Sequence, residues 1–275
     1  MKLIESPLFV LEQTDAMKFA HRKLLTNYYF NKENTEYWVG KGLFYYEKIG
    51  DTLFFYKKEY DFYHLFYISP SSEDLGKGLT QLSSRSDIIV ADVLTKQKEI
   101  SPILNAFLAN KFFQYRSLVR MSRVKGVDIQ NAVFHEHVRF ASKGDEERIH
   151  NILDNNFDRY AEQIPNIDEL GREIEIKNII MVERDGVIAG LLHLNLSGLT
   201  SHLRRWFVNP DYRDQHVGSM LMRSYFSLSS QASRFILWVI IANDNAIKRY
   251  MHYGYIEDEL TDTILANKRH MRYGK

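Results

Sequence analysis

The sequence predicts an α/β protein made of two consecutive domains, each with a mixed α+β sheet and flanking helices. Apolar runs of strand length alternate with amphipathic helical patterns. The same order of strands and helices occurs twice along the chain, less regularly in the first half, which indicates a tandem duplication. Asp185-Gly186 is typical of a two-residue β-hairpin. We place the junction within residues 124–131 and predict domains at 1–130 and 131–275.

Composition excludes several classes of function. The chain has 275 residues, 45% of them hydrophobic, which is enough to fill a sizeable core. A formal net charge of +1 provides no global field for nucleic acid or an anionic membrane, so we expect neither partner. The lack of cysteine excludes disulfides, thiolate metal sites and a cysteine nucleophile. We find neither a signal-peptide pattern nor an apolar window of spanning length, and therefore expect a cytoplasmic protein.

The first half is rich in Tyr and Phe. In residues 36–70, two apolar runs flank the segment KIGD, which predicts a hairpin followed by a third strand. A stacking surface for bases or sugars is the less favoured interpretation, because the runs have strand length and turn boundaries. Further along we expect a buried strand at 86–94, a helix at 100–113 with Pro102 in its first turn, and a strand at 113–124.

The second half has clearer boundaries between its elements. Residues 144–157 read as an amphipathic helix with acidic residues in its first turn, and residues 178–196 as a hairpin around Asp185-Gly186. The remaining expected elements are a strand at 138–142, a short helix at 166–174, strands at 202–208 and 235–241, a helix from Asn243 and terminal strand material at 253–267.

Two segments of this half indicate ligand chemistry. In VNPDYRDQHVGSML, residues 208–221, Gly218 would let the N–H groups of a helix N-terminus approach a pyrophosphate, and Arg213 would add a charge-assisted contact. In NDNAIKRYMHYGY, residues 243–255, Asn243 caps a helix and Tyr250 lies two turns later on the same face. Each segment alone also fits ordinary capping and packing.

Together the two segments resemble the GNAT superfamily of acyl-CoA-dependent N-acetyltransferases. The patterns are V-x-P-x-x-R-x-x-x-V-G-x-x-L and N-x-x-A-x-x-x-Y-x-x-x-G-Y, and the resemblance covers residues 138–267. It implies mostly antiparallel central sheets flanked by helices, and acetyl transfer from acetyl-CoA to a small-molecule or peptide amine. The first half has the element order without these motifs, so we interpret it as a degenerate GNAT-like domain that shapes the acceptor cleft, supports the second half or binds a partner.

The resemblance also implies a role for each matching residue. The strand before the loop would separate from its neighbour and bond pantetheine, and an N–H of Phe207 or Val208 would stabilise the oxyanion. His216 stands where the family has its first glycine, which requires either a negative φ or modest strain. Tyr250 would protonate the departing thiolate, and Asn243 would contact the pantetheine side of the cofactor. The amides of the loop would hold the pyrophosphate beside Arg213, and they belong to Asp214, Gln215, His216, Val217, Gly218 and Ser219.

The general base has no clear candidate, because the strand before the loop offers arginines where some family members have a glutamate. Glu175, Glu183, His193 and His202 are possible substitutes, and a chain of water is another. Arg204 or Arg205 would suit an acceptor with a carboxylate or phosphate if either faces the cleft. We expect no metal, since His135 and His137 lack a third ligand nearby.

Two other functions stay open at this point. The chain would be a non-catalytic acyl-CoA-binding or interaction module if His216 and the missing glutamate mark lost activity. An aminoacyl transferase that uses charged tRNA is disfavoured by the near-neutral charge. We expect a monomer or a homodimer.

Overall fold

The chain forms two compact units in the computed structural model, which describes residues 1–96, 101–124 and 132–269. The first unit consists of Met1–Leu118 and residues 260–269, and the second of Val119–Glu259. The sequence does not indicate that the end of the last strand belongs to the first unit. The expected junction falls almost wholly on residues 125–131, outside the described ranges, so the domain boundary stays a prediction.

The first unit is a mostly antiparallel sheet between two helical layers. The strand order is β1-β3-β4-β5-β6-β13, β2 pairs with β5, and only β5 and β6 are parallel among the strand pairs described here. The elements are β1 (Lys2–Leu3), α1 (Pro7–Ala20), β2 (Leu25–Thr26), α2 (Lys32–Gly40), β3 (Phe44–Ile49), β4 (Thr52–Lys58), β5 (Phe62–Ser69), α3 (Ser72–Ser83), β6 (Ile88–Lys96) and α4 (Pro102–Ala109). Two further strands have residues in both units, β7 (Phe113–Val124) and β13 (Ile256–Ala266).

Alternation along the strands gives this sheet two apolar faces. Phe54, Tyr56 and Leu65 pack under α3 and α4, whereas Phe55 and Ile68 face the layer of α1 and α2. The Tyr and Phe residues of 36–70 are therefore largely sheet core, as the pattern of strand-length runs predicts.

The second unit repeats this architecture. Its strand order is β12-β11-β10-β9-β8, with β11 and β12 parallel and the other pairs antiparallel. Helices α5 and α6 cover one face and α7 and α8 the other. The elements are β8 (Arg139–Phe140), α5 (Glu146–Asn156), α6 (Ile167–Glu175), β9 (Ile179–Arg184), β10 (Val187–Ser197), β11 (Thr200–Val208), a 3-10 turn (Pro210–Tyr212), α7 (Val217–Leu228), β12 (Arg234–Ile240) and α8 (Asp244–His252).

The predicted fold class is confirmed: both units are α/β, with mostly antiparallel sheets flanked by helices. Asp185 and Gly186 both have positive φ, 49° and 77°, as the predicted hairpin turn requires. Within the described ranges we find no helix with the length and apolar character that a membrane crossing requires.

Three helices of the first unit were not predicted, and one was predicted too long. Helices α1 and α2 are only weakly amphipathic, and the glycines and serines within α3 disfavour the prediction of a helix there. Ser71 nevertheless caps α3, and Gly78 is needed there because a Cβ would lie 2.5 Å from the Phe54 ring. The helix predicted at 100–113 spans Pro102–Ala109, while Ile100 lies outside the described residues.

Candidate active site

Strands β11 and β12 separate in the middle of the second unit. Their parallel pairing runs from Thr200↔Arg234 to Leu203↔Leu237 and then stops, although β11 continues to Val208 and β12 to Ile240. A β-bulge lies at the same point, because His193 pairs with Arg205 and Leu194 with Leu203. A bulge bends its strand, so it accounts for the divergence. The result is a V-shaped opening between two strand ends.

Backbone N–H groups of β11 point into this opening. Asn209 N donates to Ala189 O on β10 at 2.9 Å. Along an antiparallel strand, successive residues direct their backbone N–H and C=O groups alternately toward and away from the partner strand. The N–H groups of Val208 and Trp206 therefore point away from β10, and that of Phe207 points toward it. Of the two predicted oxyanion donors, Val208 therefore has the suitable direction, and Trp206 adds a second N–H that the sequence does not suggest.

Helix α7 begins beside the opening without a side-chain cap. His216 is its N-cap residue, makes no capping hydrogen bond and has φ 58° and ψ 9°. Of the two conformations that the sequence permits for His216, the structure thus adopts the strained left-handed one. The helix has no acidic residue in its first turn, so its N–H groups and partial positive charge are available to an anion.

A cavity of about 650 Å³ lies over this helix end. Arg213, Lys248 and Arg249 contribute positive charges to its wall, and Asp214 contributes a carboxylate. Of the predicted cofactor residues, seven line the cavity: Val208, Arg213, Asp214, His216, Val217, Gly218 and Ser219. The other lining residues are Trp206, Tyr212, Lys248, Arg249, His252 and Tyr253. Phe207, Gln215 and Asn243 do not line it.

Trp206 connects the three elements of this wall. Its ring lies 5.8 Å from that of Tyr250 and 5.7 Å from that of Tyr253 on the α8 side. A Cβ on Gly218 would lie 3.0 Å from Trp206 Cζ2, so the glycine permits close packing of α7 on β11. Trp206 Nε1 is buried and finds no acceptor within the part of the chain that the structure describes.

Helix α8 presents the predicted pair Asn243 and Tyr250. The Asn243 side chain caps the helix by accepting from Ala246 N at 3.1 Å. Tyr250 is only 8% exposed, and its hydroxyl makes no hydrogen bond to any residue described here. Burial, reinforced by the charge of Glu162, raises the pKa of Tyr250 well above its usual value, so the phenol keeps its proton at neutral pH.

A hydrogen-bonded chain of polar residues lies on the opposite face of the sheet, toward α5 and α6. Arg205 is 3% exposed and donates to the carbonyls of Glu162 at 2.6 Å and Gln163 at 2.5 Å. Arg205 also donates to His193 Nδ1 at 3.1 Å, and His193 Nε2 lies 3.2 Å from Glu173. Because arginine cannot accept, His193 must carry its proton on Nε2. Burial lowers the pKa of His193 to about 4, which keeps it neutral.

None of the bases considered from the sequence is well placed for proton transfer. The lone pair on His193 Nδ1 already accepts a hydrogen bond from Arg205. Burial lowers the pKa of His202 to about 3. Glu183 is paired with Arg139 at 2.5 Å and Arg148 at 3.0 Å, and Glu175 is exposed at the end of α6. Arg204 is exposed, whereas Arg205 is held by protein groups.

The loop between α5 and α6 supplies carboxylates that the sequence analysis missed. Glu162 lies close enough to Tyr250 for its charge to raise the pKa of that residue, and its carboxylate accepts from Asp158 N at 2.7 Å. Asp158 is 5% exposed, and burial with the nearby charge of Glu162 raises its pKa to about 7. Arg205 fixes this loop on β11. No local motif marks these residues, because a tertiary contact places them.

The basic residues of α8 were also missed. Lys248 and His252 are separated by one helical turn, and both line the cavity. The one-turn spacing of Lys248 and His252, on the helix that carries Tyr250, could have predicted that these residues share a face beside the cavity. No group of three or more metal-binding side chains occurs within residues 1–96, 101–124 and 132–269.

Comparison with known proteins agrees with this geometry. Residues 146–255 match the family model described as Acetyltransferase (GNAT) family. A GCN5-related N-acetyltransferase from Sphaerobacter thermophilus has a TM-score of 0.58 at 12% identity, covering 78% of this chain and 76% of that one. A GNAT-family acetyltransferase from Colwellia psychrerythraea has a TM-score of 0.55 at 14% identity, covering 96% of this chain and 97% of that one.

A tandem GNAT protein from the clavulanic acid biosynthesis pathway is also similar. Its TM-score is 0.56 at 9% identity, with 83% of this chain and 85% of that chain covered. No curated protein matches the chain. The separated strands, the uncapped helix N-terminus and these comparisons lead to one conclusion: the chain has the fold of the GNAT acetyltransferases that it resembles, and residues 146–255 of its second unit match the GNAT family.

Proposed function

We propose that the second unit binds acetyl-CoA and transfers its acetyl group to the amine of a small-molecule or peptide acceptor. The observation that carries this proposal is one cavity that combines an uncapped helix N-terminus, Arg213 and the basic face of α8. The family and the fold support acyl transfer in general. The donor, the acceptor and the residue roles below are our proposal.

The phosphates of coenzyme A fit the charges of the cavity. A pyrophosphate needs several N–H donors and a compensating positive charge, which the start of α7 and Arg213 supply. Lys248, Arg249 and His252 lie across the cavity on α8 and would hold a further phosphate. One carboxylate lies in the wall, Asp214, and it is outnumbered by the positive charges of Arg213, Lys248 and Arg249.

The V-shaped opening suits the pantetheine arm. The arm is extended and carries amide groups, so it can pair with the outward N–H and C=O groups of β11 as a short strand would. In this pose the thioester carbonyl would accept a hydrogen bond from Val208 N–H, with Trp206 N–H as the neighbouring donor. The acceptor amine would approach from the side of α5 and α6.

Tyr250 and Glu162 are assigned the two proton transfers. The amine nitrogen bonds to the acetyl carbon while the carbon–sulfur bond breaks, and Tyr250 gives its proton to the departing thiolate. Glu162 takes the proton that the amine loses, directly or through one water. The raised pKa of Tyr250 fits the role of acid, because the phenol is protonated before the reaction.

Calorimetric titration with acetyl-CoA, together with a thiol-release assay over a panel of amines, tests the proposal. Arg213→Gln should weaken binding at least tenfold, because it removes a charge from the phosphate site. Arg223→Gln is the matched control, since Arg223 is exposed on α7 but does not line the cavity. Absence of binding by the wild-type protein would overturn the proposal. Binding without thiol release for any amine would instead favour the non-catalytic acyl-CoA-binding module.

A further inference from the structure

The first unit contains the same strand separation as the second. The parallel pairing of β5 and β6 runs from Phe62↔Ile88 to Leu65↔Ala91 and then stops, while β5 continues to Ser69 and β6 to Lys96. The β11–β12 pairing also contains four residue pairs before it ends. On topology alone, the first unit would therefore offer a second opening for a pantetheine arm.

That opening is filled by the chain itself. Strand β2 pairs with the outer part of β5, with Leu25 opposite Ser69 and Thr26 opposite Ile68. Asn27 follows and bridges the two separated strands. Its Nδ2 donates to Leu65 O on β5 at 3.1 Å and to Asp92 O on β6 at 3.3 Å, while its Oδ1 accepts from Tyr67 N at 2.8 Å.

The groups that Asn27 engages are those that a pantetheine amide would use. An amide side chain presents one carbonyl and one NH₂ group, so Asn27 reproduces the donor and acceptor pattern of a peptide-like arm. Thr26 adds a hydrogen bond from its hydroxyl to Tyr67 O at 2.8 Å. The backbone N–H and C=O of Tyr67 are thus both hydrogen-bonded to side chains of segment 25–27.

The phosphate end of this cleft is closed as well. Only Pro70 and Ser71 lie between β5 and α3, whereas residues 209–216 lie between β11 and α7. Ser71 caps α3 by accepting from Asp74 N at 3.1 Å, and the first turn carries Glu73 and Asp74. Two carboxylates at a capped helix start repel a phosphate, in contrast to the uncapped, non-acidic start of α7.

We propose that residues 25–27 are a resident occupant of the first unit's cleft, which takes the place of a pantetheine arm, so that the chain binds one acyl-CoA and binds it in the second unit. The one-per-chain ratio rests on the proposed function. The residence of segment 25–27 does not, because it follows from hydrogen bonds within the first unit.

Hydrogen exchange on the full chain without ligand tests the resident segment. The Tyr67 amide should be strongly protected in the wild-type protein, and Asn27→Ala should raise its exchange rate at least tenfold and lower Tm by several degrees. Asn27→Asp retains the acceptor for Tyr67 N and should lose less protection, which keeps the test available if the alanine variant does not fold. Rapid exchange of Tyr67 in the wild-type protein would overturn the proposal, whether or not acetyl-CoA binds.

Native mass spectrometry with saturating acetyl-CoA tests the ratio. One bound molecule per chain is expected at saturation, and at a concentration near the wild-type Kd Arg213→Gln should lower its occupancy several-fold. Two molecules per chain, or a molecule that persists at undiminished occupancy in Arg213→Gln, would show an open first cleft and contradict the inference. If nothing binds while Tyr67 stays protected, the proposed function fails and the resident segment stands.

Discussion

At the scale of single residues, Tyr250 carries the proposed acid role. It is buried, its hydroxyl has no hydrogen-bond partner among the described residues, and its raised pKa keeps it protonated. Tyr250→Phe should lower kcat by about 100-fold, within the range for loss of a general acid. The Kd for acetyl-CoA should change little, because Tyr250 is not among the residues that line the cavity. Steady-state kinetics with calorimetry measure both, and full activity would exclude the role.

Glu162 is the residue to which we assign proton removal from the amine. Glu162→Gln retains the backbone carbonyl that accepts from Arg205, so the loop should keep its position. We expect kcat to fall more than tenfold with acetyl-CoA affinity unchanged. Glu175→Gln, an exposed carboxylate at the end of α6, is the control. Equal activity of both variants would show that another group or water accepts the proton.

His216, in the loop that we propose binds the pyrophosphate, has a backbone conformation that favours glycine. At φ 58° the Cβ of His216 lies close to its backbone carbonyl, which costs conformational energy. His216→Gly should therefore stabilise the second unit by about 1 kcal/mol and raise Tm by a few degrees. Affinity for acetyl-CoA should be kept or increased, since the backbone N–H is retained. Gln215→Gly is the control, because Gln215 lacks a positive φ and should only lose stability. Abolished binding in His216→Gly would show that the imidazole contacts the ligand.

The raised pKa of Asp158 leads us to expect that the stability of the second unit depends on pH. Its folded pKa of about 7 lies above the ordinary value of 3.8, so its stabilising contribution is complete below pH 3.8 and is lost as pH rises to 7. Asp158→Asn stays neutral and can still accept from Tyr160 N and Ala161 N through Oδ1. The free energy of unfolding of the variant, relative to that of the wild-type protein, should increase by about 2–3 kcal/mol when the pH is raised from 5 to 8. Thermal unfolding at the two pH values measures this gain, and an equal difference at both would contradict it.

At the scale of elements, the contact of α7 with the sheet sets the position of the helix start where we propose that the pyrophosphate binds. A Cβ on Gly190 would lie 2.7 Å from Val217 Cγ1 and 3.0 Å from Phe207 O. Gly190→Ala should therefore destabilise the second unit by about 1–3 kcal/mol and weaken acetyl-CoA binding by displacing the start of α7. Gly171→Ala is the control in α6, with nothing within 4 Å of its Cβ, and should stabilise by up to about 1 kcal/mol. Denaturant unfolding and calorimetry compare the two, and a neutral Gly190→Ala would contradict the packing argument.

Local signals predict some elements well and others poorly. The hairpin at Asp185-Gly186 and the cap at Asn243 are visible in the sequence because each depends on residues adjacent in the chain. The splay of β11 from β12 was expected from the resemblance alone, since a bulge opposite His193 has no local signature. Glu162 was missed for a similar reason: a tertiary hydrogen bond to Arg205 places its loop.

At the scale of the whole molecule, two units repeat one strand arrangement with opposite outcomes. Four parallel residue pairs precede the strand separation in each unit. Residues 25–27 fill the opening of the first unit, whereas a cavity with basic residues in its wall lies at the opening of the second. The sequence shows that the first half has no arginine at the position that corresponds to Arg213. It does not show Asn27 in the cleft, because the bridge joins residues up to 65 positions apart.

In the proposed complex, acetyl-CoA lies in the second unit between the uncapped start of α7 and the separated strands. The most direct measurement is a crystal structure of the full chain with acetyl-CoA. We expect the pyrophosphate on the amides of residues 214–219 beside Arg213, and the thioester between β11 and β12 within reach of Val208 N–H and Tyr250. A molecule bound in the first unit, or one bound away from the start of α7 and the separated strands, would contradict the proposed site.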